Sequence, residues 1–120
     1  MDEGEKELGK QGEELAARYL NEKGFKIVSK NFRFGKGEID IIAMDPEDKY
    51  MVFIEVKTRK SLKYGAPEYS ITTAKQKQIK KIAEMYLIEK EIIDQDCRFD
   101  AITIVMNNGP EINHYKNAFF

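Results

Sequence analysis

Gly37-Glu38-Ile39-Asp40-Ile41-Ile42-Ala43-Met44 and Tyr50-Met51-Val52-Phe53-Ile54-Glu55-Val56-Lys57 decide the fold. Both runs are rich in β-branched residues, and Asp45-Pro46-Glu47-Asp48-Lys49 between them reads as a hairpin loop. Side chains alternate faces along a strand. Ile39, Ile41 and Ala43 of the first run therefore form one apolar face with Val52, Ile54 and Val56 of the second. Burying that face fixes the register to steps of two, because a one-residue slip exposes the whole set. The opposite face must carry Glu38, Asp40 and Ile42 with Phe53, Glu55 and Lys57. The most compact loop centres the turn near Glu47-Asp48, which sets Asp40 opposite Glu55 and Glu38 opposite Lys57.

Directly opposed side chains lie roughly 5 Å apart at Cβ, where two carboxylates repel. A divalent cation is the natural partner for such a pair, since Mg²⁺ prefers hard carboxylate oxygens. The plain alternative is a Glu38–Lys57 cross-strand ion pair with Asp40 and Glu55 facing water. Ile42 and Phe53 on the same face argue against full exposure and suggest a cleft at the charged end. A cation held there by Asp40 and Glu55 binds a phosphoryl oxygen and lowers the pKa of a bound water. Lys57 stands two residues beyond Glu55 on the same face, where its ammonium can orient the attacking water or neutralise a pentacovalent phosphate. These parts suit hydrolysis of a phosphodiester, with nucleic acid as substrate.

Outward from the hairpin, Leu8, Leu15, Ala16, Tyr19 and Leu20 recur at helical spacing, and Gly24 supplies a stop, predicting a helix from about residue 5 to 22. Phe25 to Phe34 reads as a strand with a break near Ser29. Residues 58–71 read as a basic loop. Thr72 or Thr73 can cap a second helix that runs to about Lys90, with Ile79, Ile82, Ala83, Tyr86 and Leu87 as its stripe. Phe99 to Met106 is apolar on both faces, as expected of a central strand. A short last strand follows at Ile112 to Tyr115. The order α-β-β-β-α-β-β predicts an α/β domain, a mixed sheet flanked by helices. On the first helix Glu13 shares its face with Ala16, Ala17 and Leu20 and points toward the sheet. Glu14 shares its face with Arg18 and Asn21 and points to solvent. Either acid also simply suits a helix N-terminal half.

A chain of 120 residues is expected to form one domain. No apolar run approaches the roughly 20 residues that span a bilayer, and no apolar leader opens the chain. Cys97 is the only cysteine, which excludes an intrachain disulfide and a cysteine-rich zinc site, so the cytoplasm is the expected location. The net charge of -1 hides an asymmetry. Residues 49–81 carry nine basic groups against two acids, whereas residues 1–22 and 82–120 each carry three against seven. The basic stretch is covalently attached to the edge of the proposed site. Arg59, Lys60 and Lys63 follow Lys57, and Lys75 and Gln76 open the second helix, whose N-terminus favours anions. These residues are the expected nucleic-acid contacts. A solvated lysine face is the plain alternative.

Gly37-Glu38-Ile39-Asp40-Ile41-Ile42-Ala43, followed by Phe53-Ile54-Glu55-Val56-Lys57-Thr58-Arg59, resembles the YraN family of small bacterial proteins. That family is similar to archaeal Holliday junction resolvases within the PD-(D/E)xK nuclease superfamily. Gly12-Glu13-Glu14-Leu15-Ala16, Tyr64-Gly65, Lys75-Gln76, Arg98-Phe99-Asp100 and Asn117-Ala118-Phe119 extend the likeness over nearly the whole chain. The resemblance implies a restriction-endonuclease-like αβββαβ core, Asp40 and Glu55 as metal ligands, Lys57 as catalytic lysine and Glu13 as the helix acid. The superfamily's proline before the aspartate is replaced by Ile39 here. The expectation is a Mg²⁺- or Mn²⁺-dependent endonuclease acting on DNA, at branched structures by resemblance alone, and as a homodimer by analogy with enzymes that cut two strands symmetrically. Rival readings are a non-catalytic nucleic-acid-binding module on the same fold and an interaction domain whose acids pair with Lys57 and Arg98.

Several other residues have plainer expectations. His114, the only histidine, reads as a surface or packed residue, and Cys97 as packing. Arg98 and Asp100 read as structural ion-pairing groups, with a phosphate contact as the alternative for Arg98. Tyr64 and Tyr69 can stack on bases or anchor the basic loop. Phe119 and Phe120 need cover from the domain or a dimer contact.

Overall fold

A computed structural model describes residues 3–61 and 71–119. The elements are α1 (Glu3–Glu22), β1 (Lys26–Phe34), β2 (Gly37–Met44), β3 (Met51–Arg59), α2 (Thr73–Glu89), β4 (Cys97–Val105) and β5 (Glu111–Phe119). The strands form one five-stranded sheet in chain order. Neighbours pair antiparallel except β3 and β4, which run parallel because α2 carries the chain back along the sheet. The fold is α/β, a mixed sheet with helices on both faces, consistent with an αβββαβ core.

α1 lays Ala16, Ala17 and Leu20 on Ile41, Ala43, Val52, Ile54, Ile102 and Ile104. Its end is set by Gly24, whose φ of 88° is open to a glycine, with the Phe25 N–H donating to the Leu20 carbonyl at 2.9 Å. Gly12 is needed for another reason. A Cβ there would lie 1.7 Å from Thr58 Oγ1, so only glycine lets α1 settle onto the end of β3. On the other face α2 packs Ile79, Ile82, Ala83 and Tyr86 on Ile39, Ile42, Met51, Phe53 and Phe119. Thr72 is its cap, its hydroxyl accepting from the Lys75 N–H. β4 lies between two strands and is buried along most of its length. Among the described residues no helix is long and apolar enough to cross a membrane.

The hairpin register matches the sequence reading where the strands pair, Ile41 with Ile54 through Met44 with Met51. Ile39, however, does not join the α1 face; it packs with Ile42 under α2. Strict alternation fails because β1 and β2 bend together. The β1–β2 register passes from Lys30↔Ile41 to Phe32↔Ile39, and between them Asn31 has a φ of 53°, a left-handed conformation that asparagine tolerates better than most residues. The break near Ser29 is present as a register shift between Ile27 and Ser29. The last strand is longer than expected. After Ala101↔Tyr115 the β4–β5 register shifts, Asn117 takes a φ of 55°, and pairing resumes at Phe99↔Phe119. Lys116-Asn117 reads as a strand end in sequence but is a bulge within one.

Candidate functional site

The β2–β3 ladder stops at Ile41↔Ile54, so neither Asp40 and Glu55 nor Glu38 and Lys57 form a ladder pair. The Asp40 carboxylate takes the next β3 amide itself, accepting from Val56 N–H at 2.8 Å. This substitution of side chain for backbone holds the two strands apart and opens a cavity of about 280 Å³. Glu13 of α1, Glu38 and Asp40 of β2 and Glu55 of β3 all line it. One carboxylate oxygen from each of Glu13, Glu38 and Asp40 lies within 4.8 Å of the others. Glu14 is exposed, so Glu13 is the helix acid that reaches the sheet.

Each acid is held by its own local structure. Asn31 Nδ2, presented by the bend in β1, donates to Glu13 Oε1 at 2.8 Å. Glu38 Oε2 sits 3.2 Å from Arg33 Nε, but Arg33 is largely exposed and the contact lacks hydrogen-bond alignment. Glu55 Oε1 is 4.0 Å from Lys75 Nζ at the start of α2. Glu38 Oε2 and Glu55 Oε2 are both buried with no hydrogen-bond partner among the described residues. Burial pushes the Asp40 carboxyl up to about 7 against the pull of the Val56 N–H, and the charges of Glu13, Glu55 and Glu38 push it further in the same direction. A pocket of carboxylate oxygens, two of them without hydrogen bonds and a third carboxyl driven toward protonation, fits a hard divalent cation.

Lys57 keeps the β3 face of Glu55 by alternation and is partly buried. The cation lining the cavity among the described residues is Lys75 instead. Arg59 and Lys60 are exposed at and just past the end of β3. Gln76 turns its side chain back onto the Ile71 carbonyl at 3.0 Å. Lys63, Tyr64, Tyr69 and Phe120 lie outside the described residues. Glu38, Asn31 and Lys75–Glu55 are the contributions that sequence reading missed or misassigned. The alternation does place Glu38 on the face of Asp40, which was the available signal. Nothing in the sequence marks Asn31.

A second set of ionisable groups sits on β4, one to three residues before the position level with Glu55, and closes on itself. Arg98 donates to Asp100 through Nε at 2.9 Å and Nη2 at 3.0 Å, to Asp45 at 2.9 Å, and also to Asp48. Arg98 and Asp100 therefore pair with each other directly, and Arg98 also pairs with Asp45 and Asp48. His114 Nε2 contacts Asp100 Oδ2 at 2.8 Å and its Nδ1 contacts the Tyr19 hydroxyl at 3.0 Å. Arg98 is 6% exposed and satisfied within the protein, which removes it from phosphate binding. Cys97 is half-buried, its thiol pushed up by burial and by Asp96, and it packs as expected. Phe119 finds its cover within the chain, stacked on Phe99.

The sequence profile of the Uncharacterised protein family UPF0102 matches residues 12–104, a span that includes all four cavity acids and Lys75. A UPF0102 protein of Thermodesulfovibrio yellowstonii is 50% identical, over 95% of this chain and 96% of its own length. One from Geobacter sulfurreducens is 47% identical over 93% of this chain and 88% of its own. One from Chlorobium limicola is 46% identical over 100% of this chain and 97% of its own. With a profile match across most of the sequence and near-full-length relatives at this identity, the chain belongs to the UPF0102 family.

Proposed function

We propose that this protein is a metal-dependent endonuclease that hydrolyses DNA phosphodiester bonds. The observation that carries the reading is the convergence of Glu13, Glu38, Asp40 and Glu55 on one cavity, with two buried carboxylate oxygens lacking hydrogen bonds and Asp40 pushed up to about 7. Mg²⁺ or Mn²⁺ bound there supplies neutralising charge for the phosphate and a water of lowered pKa. Glu13, Glu38 and Asp40, whose carboxylate oxygens lie within 4.8 Å of one another, would hold the ion, with Glu55 facing it from β3 across the same cavity. Asn31 fixes Glu13, and the Val56 N–H fixes Asp40. Lys57 orients the attacking water or neutralises the phosphate as the new P–O bond forms and the bond to the leaving sugar oxygen breaks. Arg59, Lys60, Lys63 and the α2 lysines track the backbone of the nucleic acid. The likeness to Holliday junction resolvases and the wider PD-(D/E)xK superfamily supports a branched substrate and a two-fold dimer.

The test is cleavage of duplex, flap and four-way DNA with Mg²⁺ or Mn²⁺ by wild type and by Asp40→Asn, Glu55→Gln and Lys57→Ala. Each substitution is expected to lower the rate by at least about 100-fold, the scale of losing a positioned charge in a water-poor site. Equal activity in all four proteins assigns the cleavage to a contaminant. DNA binding that persists without divalent metal, with no cleavage of any substrate, assigns the protein to the non-catalytic class.

A further inference from the structure

A second cavity, of about 370 Å³, adjoins the acid cavity and shares Phe53 and Phe119 with it as lining residues. Its floor is a row of three rings on adjacent strands. Phe53 of β3 stacks on Phe99 of β4 at 5.6 Å, and Phe99 on Phe119 of β5 at 5.2 Å, with planes within 27° and 25° of parallel. α2 forms the opposite wall. Along that helix Lys75 and Ile79 line the acid cavity, and Lys80, Ala83 and Leu87 line the aromatic one. We propose that the aromatic cavity receives one unpaired nucleobase of the nucleic acid whose backbone crosses the acid site. The inference deepens the nuclease reading and rests on it.

Five observations favour a base over other occupants. The volume lies in the range of cavities that take small organic groups. The rings stack on one another across the strands, so they offer the cavity their positive edges, against which the π face of a base packs edge-to-face. The cavity shares two lining residues, Phe53 and Phe119, with the acid site. Phe53 precedes Glu55 by two residues on the same strand face, about 7 Å away and equal to about two stacked nucleotide steps. Lys80 is a wall residue able to hold the phosphate next to the inserted base, on the helix whose lysines approach the acid cavity. Enzymes and binding proteins that act on distorted or single-stranded nucleic acid read splayed bases in this way. The implied substrate has an unpaired or easily unstacked nucleotide near the scissile phosphate.

Single-stranded and flap oligonucleotides carrying 2-aminopurine at successive positions, titrated with protein in EDTA, test this without cleavage. Emission is expected to rise at one position, as the base leaves its stacked neighbours, and to stay at the free level with Phe99→Ala. Since Phe99→Ala can disturb packing, Lys80→Glu provides a second variant that leaves the rings intact and must weaken the same signal. An abasic site at the responsive position must weaken binding about tenfold. DNA binding with flat emission at every position overturns the proposal. So does a Phe99→Ala protein that changes oligomeric state with the signal intact, since the cavity then belongs to a second copy. Parallel cleavage assays with Mg²⁺ separate the two readings. Cleavage with flat emission retires the base pocket alone, and a positional emission rise without cleavage of any substrate retires the nuclease alone.

Discussion

Asp40 combines a structural hydrogen bond with a perturbed charge. Its carboxylate replaces a strand ladder by accepting from Val56 N–H, yet it is buried among Glu13, Glu38 and Glu55 and pushed up to about 7. A carboxylate held there without a counter-charge is unfavourable, so binding a divalent cation should pull its pKa down by several units. Carboxyl-carbon NMR is expected to show one aspartate titrating near pH 7 in metal-free protein and ionised throughout the neutral range with Mg²⁺. A signal near the ordinary aspartate value of about 4 in both states would contradict the site's electrostatics. Arg98 presents the opposite situation, a cation enclosed by Asp45, Asp48 and Asp100. Arg98→Met strands two buried carboxylates and should cost about 3–5 kcal/mol by urea titration, whereas a surface arginine costs little. Asp40 and Glu55 were legible from strand parity, and the helical face singled out Glu13. Parity set Glu38 opposite Lys57 and Asp40 opposite Glu55, but it describes a face and cannot show where two strands part. Arg98 and Asp100 looked structural from sequence, but the bond from Arg98 to Asp45 spans positions that only the folded sheet brings together.

At the scale of elements, the hairpin and both helices follow from periodicity because burial on one face leaves few alternatives. The bend at Asn31 does not, since it arises where two strands deform together and no single-strand pattern encodes it. The same holds for the β5 bulge at Asn117. Helix α1 has a similar hidden constraint. Its two interior glycines look alike in sequence, but no heavy atom lies within 4 Å of where a Gly9 Cβ would stand, while a Gly12 Cβ would meet Thr58 Oγ1 at 1.7 Å. Gly9→Ala is therefore expected to stabilise the protein by up to about 1 kcal/mol through helix propensity. Gly12→Ala should destabilise it by about 1–3 kcal/mol as α1 is forced off β3. Because Glu13 follows Gly12 directly, the second change should also weaken Mg²⁺ binding, measured calorimetrically, while the first leaves it intact. Equal effects of the two substitutions on stability would mean that the α1–β3 approach is not a tight contact.

For the whole molecule, the two charged centres place opposing demands on stability, and pH separates them. Against the upward push of burial, hydrogen bonds from the Glu47 amide and Arg98 hold Asp45 below its ordinary value, and those from His114, Arg98 and the Asn117 amide hold Asp100 below its own. Groups lowered by folding contribute stability that is fully present above about pH 4 and is lost as pH falls through their folded values. Asp40 behaves in reverse. Raised to about 7, it keeps a proton in the folded state that the unfolded chain releases, so its contribution is present below about pH 4 and is lost as pH climbs to 7. Three units or so of shift correspond to about 4 kcal/mol. Metal-free protein should therefore be most stable in mildly acidic solution, with stability falling on both sides. Asp40→Asn should remove only the neutral limb, since an amide oxygen can still accept from Val56 N–H. Saturating Mg²⁺ should remove the same limb by a different route, by giving the ionised carboxylate a partner. Thermal melts from pH 3 to 8, with and without Mg²⁺ and for both proteins, measure all of this. Metal-free stability that rises steadily to pH 8, or a neutral limb indifferent to both Mg²⁺ and Asp40→Asn, would remove the link between the acid cavity and a cation. Coincident rescue by the ion and by the neutral side chain would tie the metal to Asp40 without reference to any enzymatic activity.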